Sequence, residues 1–490
     1  MKVHFVFAPP LIKSRLAPLW QAALPPLGIL YLASYLRKEW PEIETKATDG
    51  LAVGMEQTLA EILAFGPDVL CVSYYTGSAL GAYRLMRAVS AEQRPALVVA
   101  GGPHATALPA EALTQSPVDI VVRGEGELAL ARLVGELLQH GRLDADMLST
   151  IPGIAFRVDE RVVITDPGTN VADLDKLPFP AWDLLPMSSY RGYHLCQQSP
   201  ESPVLFSRGC PHDCVFCPNE HWNLSRPKVR HRSPRNIGDE LEELARQHGV
   251  REFNNLSDEL NNHPQIAVDT CHEIARRKLG ITWKTMLRSD NVSDALVRAM
   301  AESGCWMASL GIETGNPVTM RGIKKHFTHE DVERTARLCK RYGLKVQAYF
   351  MLYNAWEEDG QLCYEDTAAS RNTIAYAEQL LSEGLLDYMG WSVATPYPGS
   401  ELYAIALRRG LITDECVGRW DDWAQEALFV MKLPGVNPAD QIRVTRQAQT
   451  LGARASFMRE GIRWADVPMM LRTALHTLRT EARLTLRHEG

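Results

Sequence analysis

The stretch Ser207-Arg208-Gly209-Cys210-Pro211-His212-Asp213-Cys214-Val215-Phe216-Cys217 sets three thiols at C-x3-C-x2-C spacing in one short loop. Three ligands are too few for a closed structural zinc, whereas a cubane iron–sulfur cluster held by three thiolates keeps one iron open to a further ligand. Phe216, just before the third cysteine, would keep water off such a cluster and tune its potential. A zinc knuckle or three unrelated thiols are the other readings of this spacing. Further chemistry-bearing groups follow apolar runs: Asp49-Gly50, Ser73, Gly101-Gly102-Pro103-His104, Arg123-Gly124-Glu125-Gly126-Glu127, Arg288-Ser289-Asp290 and Gly311-Ile312-Glu313-Thr314-Gly315. Paired glycines after a strand allow close backbone approach to a flat cofactor or its tail. The planar fork of Arg288 suits a carboxylate. Lys324 and Lys325 read as a solvated face.

These groups need elements to hold them. Pro203-Val204-Leu205-Phe206 reads as a buried strand, so the thiols leave a strand's carboxyl end, where barrel folds collect active sites. Residues 1–140 alternate strand and helix, with strands expected at Val3–Phe7, Ile43–Thr48, Asp68–Ser73, Ala96–Ala100 and Asp119–Val122. That rhythm predicts a doubly wound parallel sheet whose ligands bind beyond the strands' carboxyl ends. Residues 141–200 read as a linker, with a hairpin near Arg157–Thr165 and irregular chain around Pro178, Pro180 and Pro186. Residues 201–415 repeat the strand–helix rhythm, with strands at Thr282–Leu287, Trp306–Gly311, Lys345–Leu352 and Tyr388–Ala394, which predicts a parallel β/α barrel, partial or complete. Residues 416–490 read as a helical cap anchored by Trp420, Trp423 and Phe429, with leucines from Leu471 to Leu486 set among arginines.

Composition narrows the classes further. A formal net charge of -7 gives no basic face for nucleic acid. No apolar run is long enough to span a membrane, and the start reads as a strand, which together point to a cytoplasmic protein with no membrane contact. Seven of the ten cysteines lie outside the loop without close spacing and read as reduced, small hydrophobes.

The loop resembles the signature of the radical S-adenosylmethionine (SAM) enzymes. The resemblance implies that Cys210, Cys214 and Cys217 bind three irons of a [4Fe-4S] cluster whose fourth iron is chelated by SAM. Reductive cleavage of SAM would then give a 5′-deoxyadenosyl radical, with flavodoxin or ferredoxin as the electron donor. Arg288 and the Gly311–Gly315 segment resemble the places where the family meets SAM, which implies contacts from Arg288, Glu313, Gly311 and Phe216, and a six-stranded partial barrel. Pro25-Pro26-Leu27-Gly28, Gly101-Gly102-Pro103-His104 and Arg123-Gly124-Glu125-Gly126-Glu127 are similar to the cobalamin-binding domain that precedes the barrel in one branch. That implies cobalamin near Ser73, Gly101, Gly102, His104 and Glu125, in an enzyme resembling the cobalamin-dependent methyltransferases, among them enzymes of antibiotic biosynthesis. The Asp-x-His-x-x-Gly loop that supplies a cobalt-binding histidine in other cobalamin proteins is missing.

Two loops depart from that pattern. Ser257-Asp258-Glu259-Leu260-Asn261-Asn262-His263 stands where relatives carry paired aspartates, and Met351–Gly360 stands where they carry Gly-x-Pro-Gly-Glu-Thr. The departures predict an unusual polar substrate, with Asp258, Glu259, Tyr353 and Glu357 as contacts or proton-transfer groups. Three functions follow for test: methylation of an unactivated carbon, redox-neutral dehydration or epimerisation with an empty front domain, and a non-enzymatic metal-binding scaffold.

Overall fold

A computed structural model describes residues 1–11, 24–190, 195–219, 227–412, 416–423 and 430–460. Phe429 and the leucines from Leu471 onward lie outside the described residues. Strands β1 (Lys2–Phe7), β2 (Glu44–Asp49), β3 (Val69–Ser73), β4 (Leu97–Gly101) and β5 (Ile120–Val122) run parallel in the order β2-β1-β3-β4-β5. Their near-continuous apolar sequences suit a sheet covered on both faces. The helix Leu27–Glu39 packs with Glu127–His140, and Met55–Phe65 packs with Ala79–Gln93. Right-handed crossovers put these two pairs on opposite faces. The strand order reverses between β1 and β3, which opens a crevice at their carboxyl ends.

The expected linker over 141–200 is partly sheet. Strands β6 (Ile154–Val158) and β7 (Arg161–Ile164) form an antiparallel hairpin that extends the first sheet beyond β5. Ile154, Ala155 and Phe156 are buried, so the hairpin covers an edge that a three-residue strand would leave open. Only the stretch after it is irregular, made of short 3-10 turns around Trp182 and the prolines.

The second sheet is parallel throughout. Strand β8 (Glu201–Val204) leads into a two-stranded ribbon, β9 (Ser207–Arg208) with β10 (Arg230–His231), and then come β11 (Glu252–Asn255), β12 (Thr282–Leu287), β13 (Cys305–Glu313) and β14 (Lys345–Leu352). After the hairpin β15 (Ala355–Glu358) and β16 (Gln361–Tyr364), β17 (Tyr388–Val393) completes the order β17-β14-β13-β12-β11-β8, and β17 does not pair with β8. The result is a six-stranded open barrel. Local signals explain its helices: Ser233 and Thr328 accept from the backbone N–H groups of Asn236 and Asp331, capping Pro234–Gln247 and His329–Arg341. The helix Pro438–Glu460 packs on β17, while Trp420 reaches the first sheet's side and donates to Glu111 Oε1 at 2.6 Å. No helix among the described residues is long and apolar enough to cross a membrane.

Candidate active site

The cysteine loop is seated by its neighbours. Ser257 Oγ, just past β11, accepts from the backbone N–H of Phe206 (2.8 Å) and of Ser207 (2.9 Å) while donating to Asn255 Oδ1 (2.7 Å). Gly209 turns the chain at a φ of 91°, which favours glycine, immediately before Cys210. Asn219 Nδ2 then donates to the Cys210 carbonyl at 2.9 Å. In the middle of the loop the Val215 N–H donates to the Ile323 carbonyl (3.2 Å), and the Val215 carbonyl accepts from Leu402 N–H (2.8 Å). Cys214 Sγ lies 3.7 Å from the Lys324 carbonyl oxygen.

The electrostatics of the thiols fit a metal cluster. Burial pushes Cys210 up to about 12 and Cys217 up to about 11, and each is pushed further by another thiol of the loop. Burial also raises Cys214, against the pull of Lys325 and Arg288. Unmetallated, these groups keep their protons and oppose one another's ionisation. A cationic iron centre held by Cys210, Cys214 and Cys217 would relieve that conflict by displacing the protons.

Lys325 is a correction. It is 8% exposed, so it belongs to no solvated face. Its Nζ lies 3.3 Å from Glu313 Oε1, and 5.9 and 5.3 Å from the ring centres of Phe216 and Phe327. The backbone turns it inward, because Lys324 and His326 on either side have φ values of 60° and 55°. Glu313 is re-aimed by a register shift between Gly311 and Glu313. A Cβ on Gly311 would lie 2.7 Å from Glu313 Oε1, so glycine is what leaves room for the pair. Beside them, Arg288 Nε bonds Asp290 at 3.0 Å, its guanidinium donates to the Lys325 carbonyl, and it lies 5.1 Å from the Phe327 ring centre. Asn261 clamps the Arg288 backbone with bonds of 2.8 and 2.9 Å to its carbonyl and N–H, a role the sequence reading did not find.

Two of the four candidate acid–base residues join this group. Burial raises Asp258, which accepts from Gly209 N–H, and the neighbouring Glu259 raises it further. Glu259 is 5% exposed with Oε1 at 3.3 Å from His212 Nε2, and the ligand atoms of Cys210, His212 and Glu259 lie within 4.8 Å of one another. The other two are elsewhere. Tyr353 is buried with its backbone N–H on Ser370 Oγ (3.2 Å), packed against the helix Thr367–Ser382, and Glu357 on β15 is held by Arg408 and Arg409. The β15–β16 hairpin folds the chain after β14 outward and carries Glu357 to those arginines.

At the first sheet's switch point lies a cavity of about 60 Å³ lined by Ser73, Gly101, Gly102, Gly124 and Gly126 over the apolar floor of β1, β3 and β4. Gly102 has φ 88°, and a Cβ there would stand 2.8 Å from Ser73 Oγ and from the Tyr74 carbonyl oxygen. Side chains would fill this slot, so the glycines keep it open for a flat group. His104 and Glu125 do not line it. His104 is buried against the tail, with Nδ1 3.3 Å from Thr76 Oγ1, Nε2 3.5 Å from Glu111 Oε1 and its ring edge-on to Trp420 at 4.8 Å. Glu125 is taken by Arg208 and Arg230 of the β9–β10 ribbon.

Comparison with known proteins agrees with both halves. The B12 binding domain family matches residues 21–134, and the Radical SAM superfamily matches residues 204–359. An uncharacterized methyltransferase of Pyrococcus horikoshii is 31% identical over 391 residues, covering 79% of this chain and 80% of the relative. An anaerobic magnesium-protoporphyrin IX monomethyl ester cyclase of Rubrivivax gelatinosus is 28% identical over 386 residues, covering 77% of this chain and 66% of the relative. Among solved structures, the cobalamin-dependent S-adenosylmethionine radical enzyme OxsB with aqua-cobalamin bound superposes with a TM-score of 0.68 at 16% identity, over 97% of this chain and 75% of that chain.

Proposed function

Because the chain belongs to the radical SAM superfamily, in the branch with an N-terminal B12-binding domain, we propose that it methylates an unactivated carbon of a small polar substrate held between its two sheets. When bound, the iron–sulfur cluster with SAM would supply a radical that takes a hydrogen from a substrate carbon, and cobalamin would supply the methyl group. The rest is the work of this chain's residues. Cys210, Cys214 and Cys217 would hold three irons and leave one open. The buried Lys325–Glu313 pair with Arg288 offers two cations and one carboxylate, a complement to the carboxylate and ammonium of an amino acid such as SAM's methionine part. Ser73, Gly101 and Gly102 would receive the flat tail of cobalamin, and His104 is turned away to Glu111 and Trp420. Asp258 and the Glu259–His212 pair stand beside Cys210 as the groups placed to orient a polar substrate or take its proton.

The observation that carries this reading is the buried Lys325–Glu313 pair beside the cysteine loop, in a chain whose other sheet keeps a glycine-lined slot open at its switch point. Dehydration would need a free loop carboxylate to move the proton, and Glu357 of the departing loop is held by two arginines. We place the protein in the cytoplasm, with an acidic electron carrier such as flavodoxin or ferredoxin as its reductant. The test is anaerobic protein reconstituted with iron, sulfide and hydroxocobalamin, then given reductant, SAM carrying a deuterated methyl group and a small-molecule extract. Release of 5′-deoxyadenosine with a deuterated methyl gained by one extract component is expected. A component that loses water in place of that gain overturns methyl transfer.

A further inference from the structure

The chain from Gly209 to Val229 carries all three thiols, and it leaves and returns through the β9–β10 ribbon, where Arg208 and Arg230 pair directly. Both arginines grip one carboxylate of the other sheet. Glu125 Oε2 accepts from Arg208 Nη1 at 3.2 Å and from Arg230 Nη1 at 3.0 Å, and Glu125 Oε1 accepts from Arg230 Nη2. Arg208 Nη1 also donates to Glu127 Oε1 at 2.8 Å and stacks 4.7 Å from the centre of the Tyr31 ring. Arg230 Nη1 donates to the Val171 carbonyl at 2.8 Å. Side-chain exposures of 14% and 2% for the arginines and 18% and 4% for the glutamates make this a sequestered, charge-balanced set of two cations and two anions. Surface ion pairs contribute little, but planar guanidinium–carboxylate pairs of this kind fix geometry.

The position of Glu125 gives the clamp its meaning. Gly124 and Gly126 on either side line the glycine slot, and Gly124 N–H is held by Thr106 Oγ1 at 3.1 Å. One side of the loop therefore faces the cavity while the other is bolted to the neck of the cysteine excursion. We infer that Arg208, Arg230, Glu125 and Glu127 are positioning residues that set the distance and orientation between a corrinoid whose tail enters the slot and the cluster on the thiols. This rests on the function proposed above. It assigns Glu125 to alignment of the two centres and not to contact with the cofactor.

The experiment uses the full chain loaded with cluster and hydroxocobalamin, reduced so that cob(II)alamin and the reduced cluster are both paramagnetic, and reads their dipolar coupling by pulsed EPR. Glu125→Gln keeps the shape of the side chain and removes its charge; Arg230→Lys keeps the charge and loses the two-pronged geometry. The parent should give one narrow distance distribution. Both variants should hold normal iron and cobalamin and give a broadened or shifted distribution. Should either folded, fully loaded variant reproduce the parent distribution, the four residues only add stability and the inference is wrong. A Glu125→Gln protein that does not fold leaves Arg230→Lys to decide. A parent with cluster signal and no cobalamin signal refutes the proposed function, and this inference with it.

Discussion

Replacing Lys325 by methionine removes the ammonium that lies 3.3 Å from Glu313 Oε1 and leaves a carboxylate without its partner. At that separation and an effective dielectric of about 20, the attraction is about 5 kcal/mol, an upper figure. Breaking one side of a buried pair costs about 3–5 kcal/mol in proteins. The two side chains keep exposures of 11% and 14%, so the expectation sits at the lower end of that range, about 3 kcal/mol. For a barrel of this size each kcal/mol lowers the midpoint by about 2–4 °C, giving a fall of about 6–12 °C. The assay is anaerobic thermal unfolding followed by circular dichroism for the parent, Lys325→Met, Glu313→Gln and the double variant. The double variant should recover much of the loss, because it leaves no unpaired charge. Iron content should stay at the parent level, since the three thiols are untouched. The cluster's midpoint potential, read by spectroelectrochemistry, should move to a more negative value, because the lost cation acts on Cys214 and Cys217. A Lys325→Met protein that melts within about 1 °C of the parent, with no coupling in the cycle, would refute the buried-pair argument.

Cys214→Ala should reduce reconstituted iron to background while circular dichroism stays close to the parent, because the Cys214 side chain is no part of the buried apolar core that both sheets share. Ser257→Ala should cost about 1–3 kcal/mol for the Ser207 N–H it orphans, the Phe206 N–H keeping Asn255 Oδ1 at 3.3 Å, and lower cluster occupancy as the loop loses its seat. Asp49 supplies a pH test: burial pushes its carboxyl up to about 6, while Tyr190 Oη donates to its Oδ2 at 3.0 Å. Between about pH 4 and 6 the folded carboxyl keeps a proton that the unfolded chain has released, so stability falls as pH rises through that window. Asp49→Asn keeps an acceptor for the Leu51 N–H and turns its amide N–H2 to Tyr190 Oη as a donor, and should raise the midpoint relative to the parent at pH 8 with little difference near pH 4.

Local spacing decides part of this protein by itself. The C-x3-C-x2-C stretch brings three thiols into one loop whatever surrounds it, and the alternation of apolar runs with amphipathic stretches is itself the cause of the parallel sheets. The glycines at 101 and 102 stand at the slot, where Gly102 has φ 88° and no room for a Cβ beside Ser73 and Tyr74. The fate of charged loop residues was not legible, because it depends on partners far along the chain. Glu125 finds Arg230 across 105 residues, Trp420 finds Glu111 across 309, and Glu357 finds Arg408 across 51. Lys325 and Glu357 both stand in polar loop sequences, yet one is turned inward by its backbone and the other carried outward on a hairpin. A short motif can name ligands because covalent spacing alone brings them together. The direction a lysine or glutamate faces is chosen by whichever opposite charge the folded chain places within reach, and only the tertiary structure makes that choice.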